Sequence, residues 1–258
     1  MANNNLRVCV RSTIAVAEFL EYSLDALPTL LVGAITTLQL TAVSVIFGLV
    51  GGTLLGIARL SHFTPLKIAS RVYIDFFRGT PLLVQIFMIY FGVPAFANSI
   101  GTSFTFNRFF AAILALSLNS SAYLAEIVRG GIQSIEMGQR EASESLGLSP
   151  IQTMRYIVFP QAFRRMIPPL GNEFITLLKD TSLVAVIGYE ELFRRGQLIV
   201  AQNYRAFEIY ITVALVYLVL NTLSSQVFIL LERWMDPLNK TKKLEAAVVA
   251  DSIESASP

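Results

Sequence analysis

The residues best placed to do chemistry are polar and ionisable groups lodged in long apolar stretches. Asn119, Tyr123 and Glu126 fall at i, i+4 and i+7 of one stretch, on one helical face, with Ser120 and Ser121 beside Asn119. Glu173, Thr176 and Asp180 fall at i, i+3 and i+7 of another, with Asn172 adjacent. An ionisable side chain in hydrocarbon costs several kcal/mol unless it faces a cavity or a partner, so such groups mark candidate pathways. Carboxylates in that setting suit a cationic group, an ammonium or a guanidinium. The alternative is that Arg129 and Lys179 neutralise them as structural ion pairs, with Glu126 at the membrane interface.

Catalysis has little to work with. There is no Gly-x-x-x-x-Gly-Lys-Ser/Thr loop to cradle a nucleotide. The single His62 and single Cys9 leave no convincing Ser/His or Cys/His arrangement, no internal disulfide and no His-rich or multi-cysteine metal centre. The expectation is a chain with no catalytic residue, no metal and no cofactor of its own. Energy for any work must come from a partner or a gradient.

The elements that must position the polar groups are membrane spans. Of 258 residues, 54% are hydrophobic and only 15% charged, far below the roughly 25% of a soluble domain. The mean hydropathy is +0.59. A net charge of +2 is too small to suggest nucleic acid. Residues 1–25 read as a short interfacial or frayed segment outside the membrane, without a cleavable signal sequence. The first span, from Ala26 to Ala58, carries no charge and more length than the bilayer needs. Its Gly48, Gly51, Gly52 and Gly56 would admit another helix closely, within the subunit or across a dimer.

A basic loop from Arg59 to Arg78 follows, and the bias of Lys and Arg places it in the cytoplasm. Thr80-Pro81 reads as the N-cap and first position of the second span, or as a kink; Gly92 and Pro94 are expected to break that span. The third covers about Phe109 to Val128, the fourth Met166 to Ile187, and the fifth Ile209 to Leu231, ending at a basic Trp234 anchor. The fourth is interrupted by Pro168, Pro169, Glu173, Lys179 and Asp180 but is required by its flanks. The sum is an all-α integral membrane protein with five transmembrane helices, N-terminus outside and C-terminus inside. Residues 26–238 form the membrane domain and 239–258 a disordered cytoplasmic tail. No internal repeat of the secondary-transporter kind is visible.

The most structured loop is Gln139 to Pro160. Glu141 to Leu146 has neutral-to-good helix propensity, and Gly147 sits where a left-handed cap is wanted. Ser149, Pro150 and Gln152 spell a capping box. Ile151, Met154 and Val158 are expected to form one apolar stripe, with Arg155 off it, and Pro160 to end the second helix. This is a cytoplasmic two-helix knob.

Glu141-Ala142-Ser143, Gly147, Ile157 and Pro160 resemble the Glu-Ala-Ala loop of ABC importer membrane subunits, with Ser143 for Ala and Phe159 for Leu. Phe77 to Gln85, Ala122-Tyr123-Leu124-Ala125-Glu126, Gly171-Asn172-Glu173-Phe174 and Leu178 to Leu183 extend the resemblance to the polar amino acid branch, the histidine and glutamine permease type. It covers about residues 25–238. The resemblance implies a type I permease fold in the bacterial inner membrane. Two such subunits, identical or related, would work with two ATPase subunits carrying ATP and Mg, and with an extracytoplasmic amino-acid-binding protein. It also implies that residues 139–160 hold a coupling helix docked on the ATPase, and that Asn119 to Tyr123, Asn172, Glu173 and Asp180 lie near the path.

Glu173 and Asp180 are two turns apart, about 10 Å along the axis, a span that matches an extended basic amino acid. The competing function is a secondary carrier or channel for small polar solutes, which would also put carboxylates in spans but has no need of a doubly capped knob. A membrane-embedded enzyme lacks the nucleophile, base or metal ligands it would require.

Overall fold

The computed structural model describes residues 2–235, with side chains from Ala17 onward, and no strand occurs among the described residues. The helices are α1 (Ala2–Leu60), α2 (Thr64–Gly79), α3 (Leu82–Phe87), α4 (Val93–Ser99), α5 (Arg108–Gln133), α6 (Met137–Ser145), α7 (Pro150–Thr153), α8 (Phe159–Asp180), α9 (Leu192–Asn203) and α10 (Ala206–Met235). Two π-helical turns, Met88–Gly92 and Met154–Val158, join α3 to α4 and α7 to α8, and a 3₁₀ turn, Thr181–Ile187, extends α8. The tail expected to be disordered lies outside the described residues.

Close packing sets the helix directions. Along α1, Gly48 faces Ser120, Gly52 faces Leu124 and Gly56 faces Val128, so α1 and α5 run parallel with backbones almost touching. Arg205 pairs with Glu18 at 3.5 Å and Thr212 Oγ1 donates to Ser23 at 3.0 Å, which sets α10 parallel to α1 as well. On α8, Met166 packs on Gly131 of α5 and Gly171 packs on Phe228 of α10, so α8 runs against both. The α1–α5–α8 seam buries Leu40, Ala112, Leu116 and Leu177, while α9 closes Leu192 onto Leu30 and Val213. The outer surface is apolar: Ile46, Phe47, Val50 and Leu54 of α1 are 59–64% exposed, as suits a hydrocarbon solvent.

Four segments are long and apolar enough to cross a membrane, Ala17–Leu60, Leu82–Ser99, Arg108–Gln133 and Ala206–Met235. The helix α8 fails that criterion because Arg164, Arg165, Glu173, Lys179 and Asp180 are spread along it. The glycine row of the first span is answered within the subunit, by α5.

Several local expectations need correcting. Gly92 and Pro94 do not break the second span: the Val93 N–H reaches back five residues to Met88 O, and this π turn absorbs the missing donor of Pro94. Pro160 likewise does not end the knob's second helix. The Phe159 N–H bonds Met154 O, Pro160 enters the first turn of α8, and the chain stays helical from Pro150 to Ile187. Thr80 is not an N-cap. It closes α2 in extended conformation, its hydroxyl donates to Phe76 O at 2.8 Å, and Pro81 precedes α3. The stripe Ile151, Met154, Val158 is split, since Ile151 is 80% exposed and Val158 1%; the π turn rotates the later residues. The basic segment after the first span is no loop but the amphipathic helix α2. The backbone crosses residue 25 inside α1, without a break at the expected boundary.

Candidate functional site

On α5 the polar face divides by partner. Asn119 is buried and its Nδ2 donates to Gln85 Oε1 at 2.9 Å and Phe77 O at 3.3 Å. Gln85 in turn donates to Phe77 O at 2.9 Å, Thr80 O at 3.1 Å and Thr80 Oγ1 at 2.9 Å. This network holds the bend between α2 and α3, where Pro81 leaves backbone carbonyls without helical donors. Ser121 donates to Leu118 O at 2.7 Å and shares a 2.8 Å hydrogen bond with Tyr73 OH on α2. Ser120 is fully buried, its hydroxyl oxygen has no hydrogen-bond partner of normal geometry, and the Glu173 carboxyl of α8 is its polar neighbour.

Glu126 is held by three arginines. Arg59 Nη1 lies 2.7 Å from Oε1, while Arg129 Nη2 and Nε lie 2.7 and 3.1 Å from Oε2. Arg78 Nη1 stands 3.9 Å from Oε2, and its guanidinium carbon lies 5.3 Å from the Tyr123 ring centre. The ends of α1, α2 and α5 are tied together here. The sequence contained half of this signal, in Arg129 three residues after Glu126.

The α8 face differs. Asn172 and Thr176 are exposed and Glu173 and Asp180 half-buried. Neither acid has an ion pair among the described residues, and Lys179, the expected neutraliser, is exposed and pairs with neither. The structure therefore brings Glu173 to Ser120 and leaves Glu126 with its arginines. No group of three or more metal-ligating side chains occurs among the described residues.

The knob is built as its caps require. Gly147 adopts φ +79°, the Leu148 N–H returns to Ser143 O at 3.1 Å, and Gly147 N–H to Glu144 O at 2.9 Å. Ser149 Oγ accepts from Gln152 N at 3.4 Å and Gln152 Oε1 accepts from Ser149 N at 2.9 Å, completing the capping box. Ser143, which stands where the motif has Ala, is buried, and its hydroxyl meets Thr153 Oγ1 at 2.8 Å across the corner. Arg140 donates to Ile132 O at 2.9 Å, Arg165 bonds Ser134 O, and Gln161 Nε2 bonds Ile157 O at 2.8 Å. The knob is thus mounted rigidly on α5 and α8. Its tip is apolar: Met137, Leu146 and Ile151 are 74–82% exposed, beside exposed Glu141, Ala142 and Pro160.

Sequence reasoning missed α9. Its N-cap Glu191 is completely buried, accepting from Phe193 N at 2.8 Å, Arg194 N at 2.7 Å and Tyr217 OH at 2.9 Å. Burial pushes this carboxyl above the ordinary range, and these hydrogen bonds hold it back. A glutamate before an amphipathic dozen was the available signal.

A family profile described as binding-protein-dependent transport system inner membrane component matches residues 48–237. The glutamine transport system permease protein of Escherichia coli (strain K12) is 44% identical over 210 residues, covering 81% of this chain and 94% of the relative. The arginine transport system permease protein of Bacillus subtilis (strain 168) is 39% identical over 198 residues, 77% and 88% of the two chains. Among solved structures, an amino acid ABC transporter crystallised with histidines superposes with a TM-score of 0.75 at 40% identity, over 81% of this chain and 95% of that one.

Proposed function

The chain belongs to the family of binding-protein-dependent transport system inner membrane components, and on that premise we propose that it is the translocation subunit of an ATP-driven importer of polar amino acids. In this reading a separate ATPase docks on the α6–α7 knob, a second permease subunit completes the path, and an extracytoplasmic binding protein delivers substrate. ATP and Mg stay on the ATPase, and the assembly sits in the bacterial inner membrane.

The observation that carries the proposal is the knob itself, a corner capped at both helix ends, braced on two spans and tipped with exposed apolar side chains. A carrier driven by an ion gradient has no use for such a lever. The names of the relatives, which transport glutamine and arginine, support a polar substrate.

Five crossings give the topology, with α8 and its 3₁₀ extension as the fourth. The parallel course of α1, α5 and α10 supports two return crossings between them. The basic groups of α2 and of the α5–α8 connection support a cytoplasmic side for those ends, with the N-terminus outside. Arg194, Arg195 and Arg205 run against this bias, and Arg195 and Arg205 pair with Glu190, Glu18 and Glu208. The substrate path follows Asn172, Glu173, Thr176 and Asp180 across from Ser120, with Asn119, Ser121, Tyr123 and Glu126 fixing the wall. The chain should co-purify with an ATPase subunit after co-expression, and Gly147→Val should weaken its coupling to that partner. Monodisperse chain without any ATPase, from a host that supplies the whole operon, would reject the proposal.

A further inference from the structure

At the cytoplasmic end of α1 a cavity of about 670 Å³ opens between the α1–α2 corner and α5. Beside neutral Ser61, Thr64 and Gln133, its ionisable lining is all basic: Arg59, His62, Lys67, Arg71 and Arg129. Among the described residues, Glu126 and Asp75 are the acids that pair with them. Glu126 already meets Arg59, Arg78 and Arg129, and Asp75 touches Arg71 at 3.5 Å with both side chains largely in solvent. Lys67 has no ion-pair partner among the described residues. Among the described residues the wall carries more positive charge than the acids beside it neutralise.

The helix that forms one wall says what kind of anion this is. Around α2, buried Ser70, Ile74 and Phe77 face the protein. Lys67, Arg71 and Arg78, at i, i+4 and i+11, make the next stripe, of which Lys67 and Arg71 line the cavity. Ile68, Val72 and Phe76, at i, i+4 and i+8, make the stripe after that and are 45–63% exposed. A basic row flanked by an exposed apolar row, along a helix that starts beside the end of α1 and packs up to the middle of α5, fits a ligand that is anionic at one end and hydrocarbon at the other. A free phosphate or a nucleotide would engage the basic row alone and make no use of the apolar row beside it.

We propose that the cavity bounded by Arg59, Lys67, Arg71 and Arg129 binds the phosphate headgroup of an anionic phospholipid, whose acyl chains lie along Ile68, Val72 and Phe76. The inference rests on the membrane-spanning reading above. The bound headgroup would bridge α2 to α5 beside the Glu126 cluster, so the cytoplasmic ends of three helices share one lipid-dependent tie.

The test uses the assembled transporter in detergent micelles doped with phosphatidylglycerol or with phosphatidylcholine of the same chains, with retained lipid read by native mass spectrometry. Wild type should retain phosphatidylglycerol in preference. Lys67→Gln/Arg71→Gln should weaken that retention about thirtyfold, each basic group contributing roughly fivefold at an anionic surface. Lys67→Arg/Arg71→Lys should keep it, which separates charge from folding. Equal retention of the two lipids by wild type, or an unchanged double Gln variant, overturns the proposal. So does a wild type that shows no lipid preference and instead binds added orthophosphate at this cavity, a soluble-anion site. Because the readout is lipid and not uptake, failed amino acid transport with intact lipid selectivity would count against the proposed function alone.

Discussion

Gly52 offers the sharpest test of how the bundle is held. A Cβ there would lie 2.6 Å from Leu124 Cβ, 2.9 Å from Ser121 O and 3.0 Å from Ala125 N, two of the three being backbone. Carbon atoms rest at about 3.5–4.0 Å, so Gly52→Ala must push α1 off α5 by roughly 1 Å. One residue earlier, the Cβ of Gly51→Ala would meet only the Ser121 side chain, at 3.2 Å from its Cβ. Both substitutions gain the same helix propensity, up to about 1 kcal/mol, so their difference isolates the contact. Overpacking of this kind costs about 1–3 kcal/mol, and a chain of this size shifts by roughly 2–4 °C per kcal/mol. Gly52→Ala should therefore melt about 2–12 °C below Gly51→Ala, followed by light scattering in one detergent. Equal midpoints would mean that α1 and α5 do not approach as described, and the parallel packing would have to be redrawn.

Other expectations follow from single contacts. Gln85→Leu leaves Asn119 Nδ2 and Phe77 O with only their mutual 3.3 Å bond and strips the Thr80 carbonyl of its donor, and should lower stability by about 2–3 kcal/mol; a wild-type melting curve would show the α2–α3 bend needs no such bracket. Gly147→Val forces a β-branched residue to φ +79° and Glu141→Lys reverses an exposed charge, so both should cut substrate-stimulated ATP turnover in an otherwise assembled complex; wild-type turnover in both would falsify the coupling role. Glu173→Gln and Asp180→Asn should each lower uptake in vesicles at saturating binding protein with the ATPase still bound, whereas unchanged rates and preference would make these acids structural.

What the sequence disclosed depends on how local each determinant is. The knob was legible because Gly147, Ser149, Pro150 and Gln152 act within a few residues of one another. The glycine row announced a close approach, though only the fold reveals that Ser120, Leu124 and Val128 supply the other side. Pro94 and Pro160 misled because a π turn upstream can absorb a missing donor, and nothing in the local pattern distinguishes that from a break. The polar face of α5 was found as a set, but its members meet different partners. Asn119 meets Gln85 from 34 positions away, and Glu126 meets Arg59 and Arg78 from other helices. Such pairings are tertiary, and a helical period carries no trace of them.

The central claim is that this chain passes polar amino acids under ATP control exerted through the α6–α7 knob. The most direct measurement is uptake of labelled glutamine and arginine by proteoliposomes holding the chain with its ATPase and second permease subunit, binding protein outside and ATP inside. The account predicts accumulation that requires both ATP and binding protein and that collapses with Gly147→Val. Uptake driven by a proton or sodium gradient in the absence of ATP, indifferent to Gly147→Val, would contradict it.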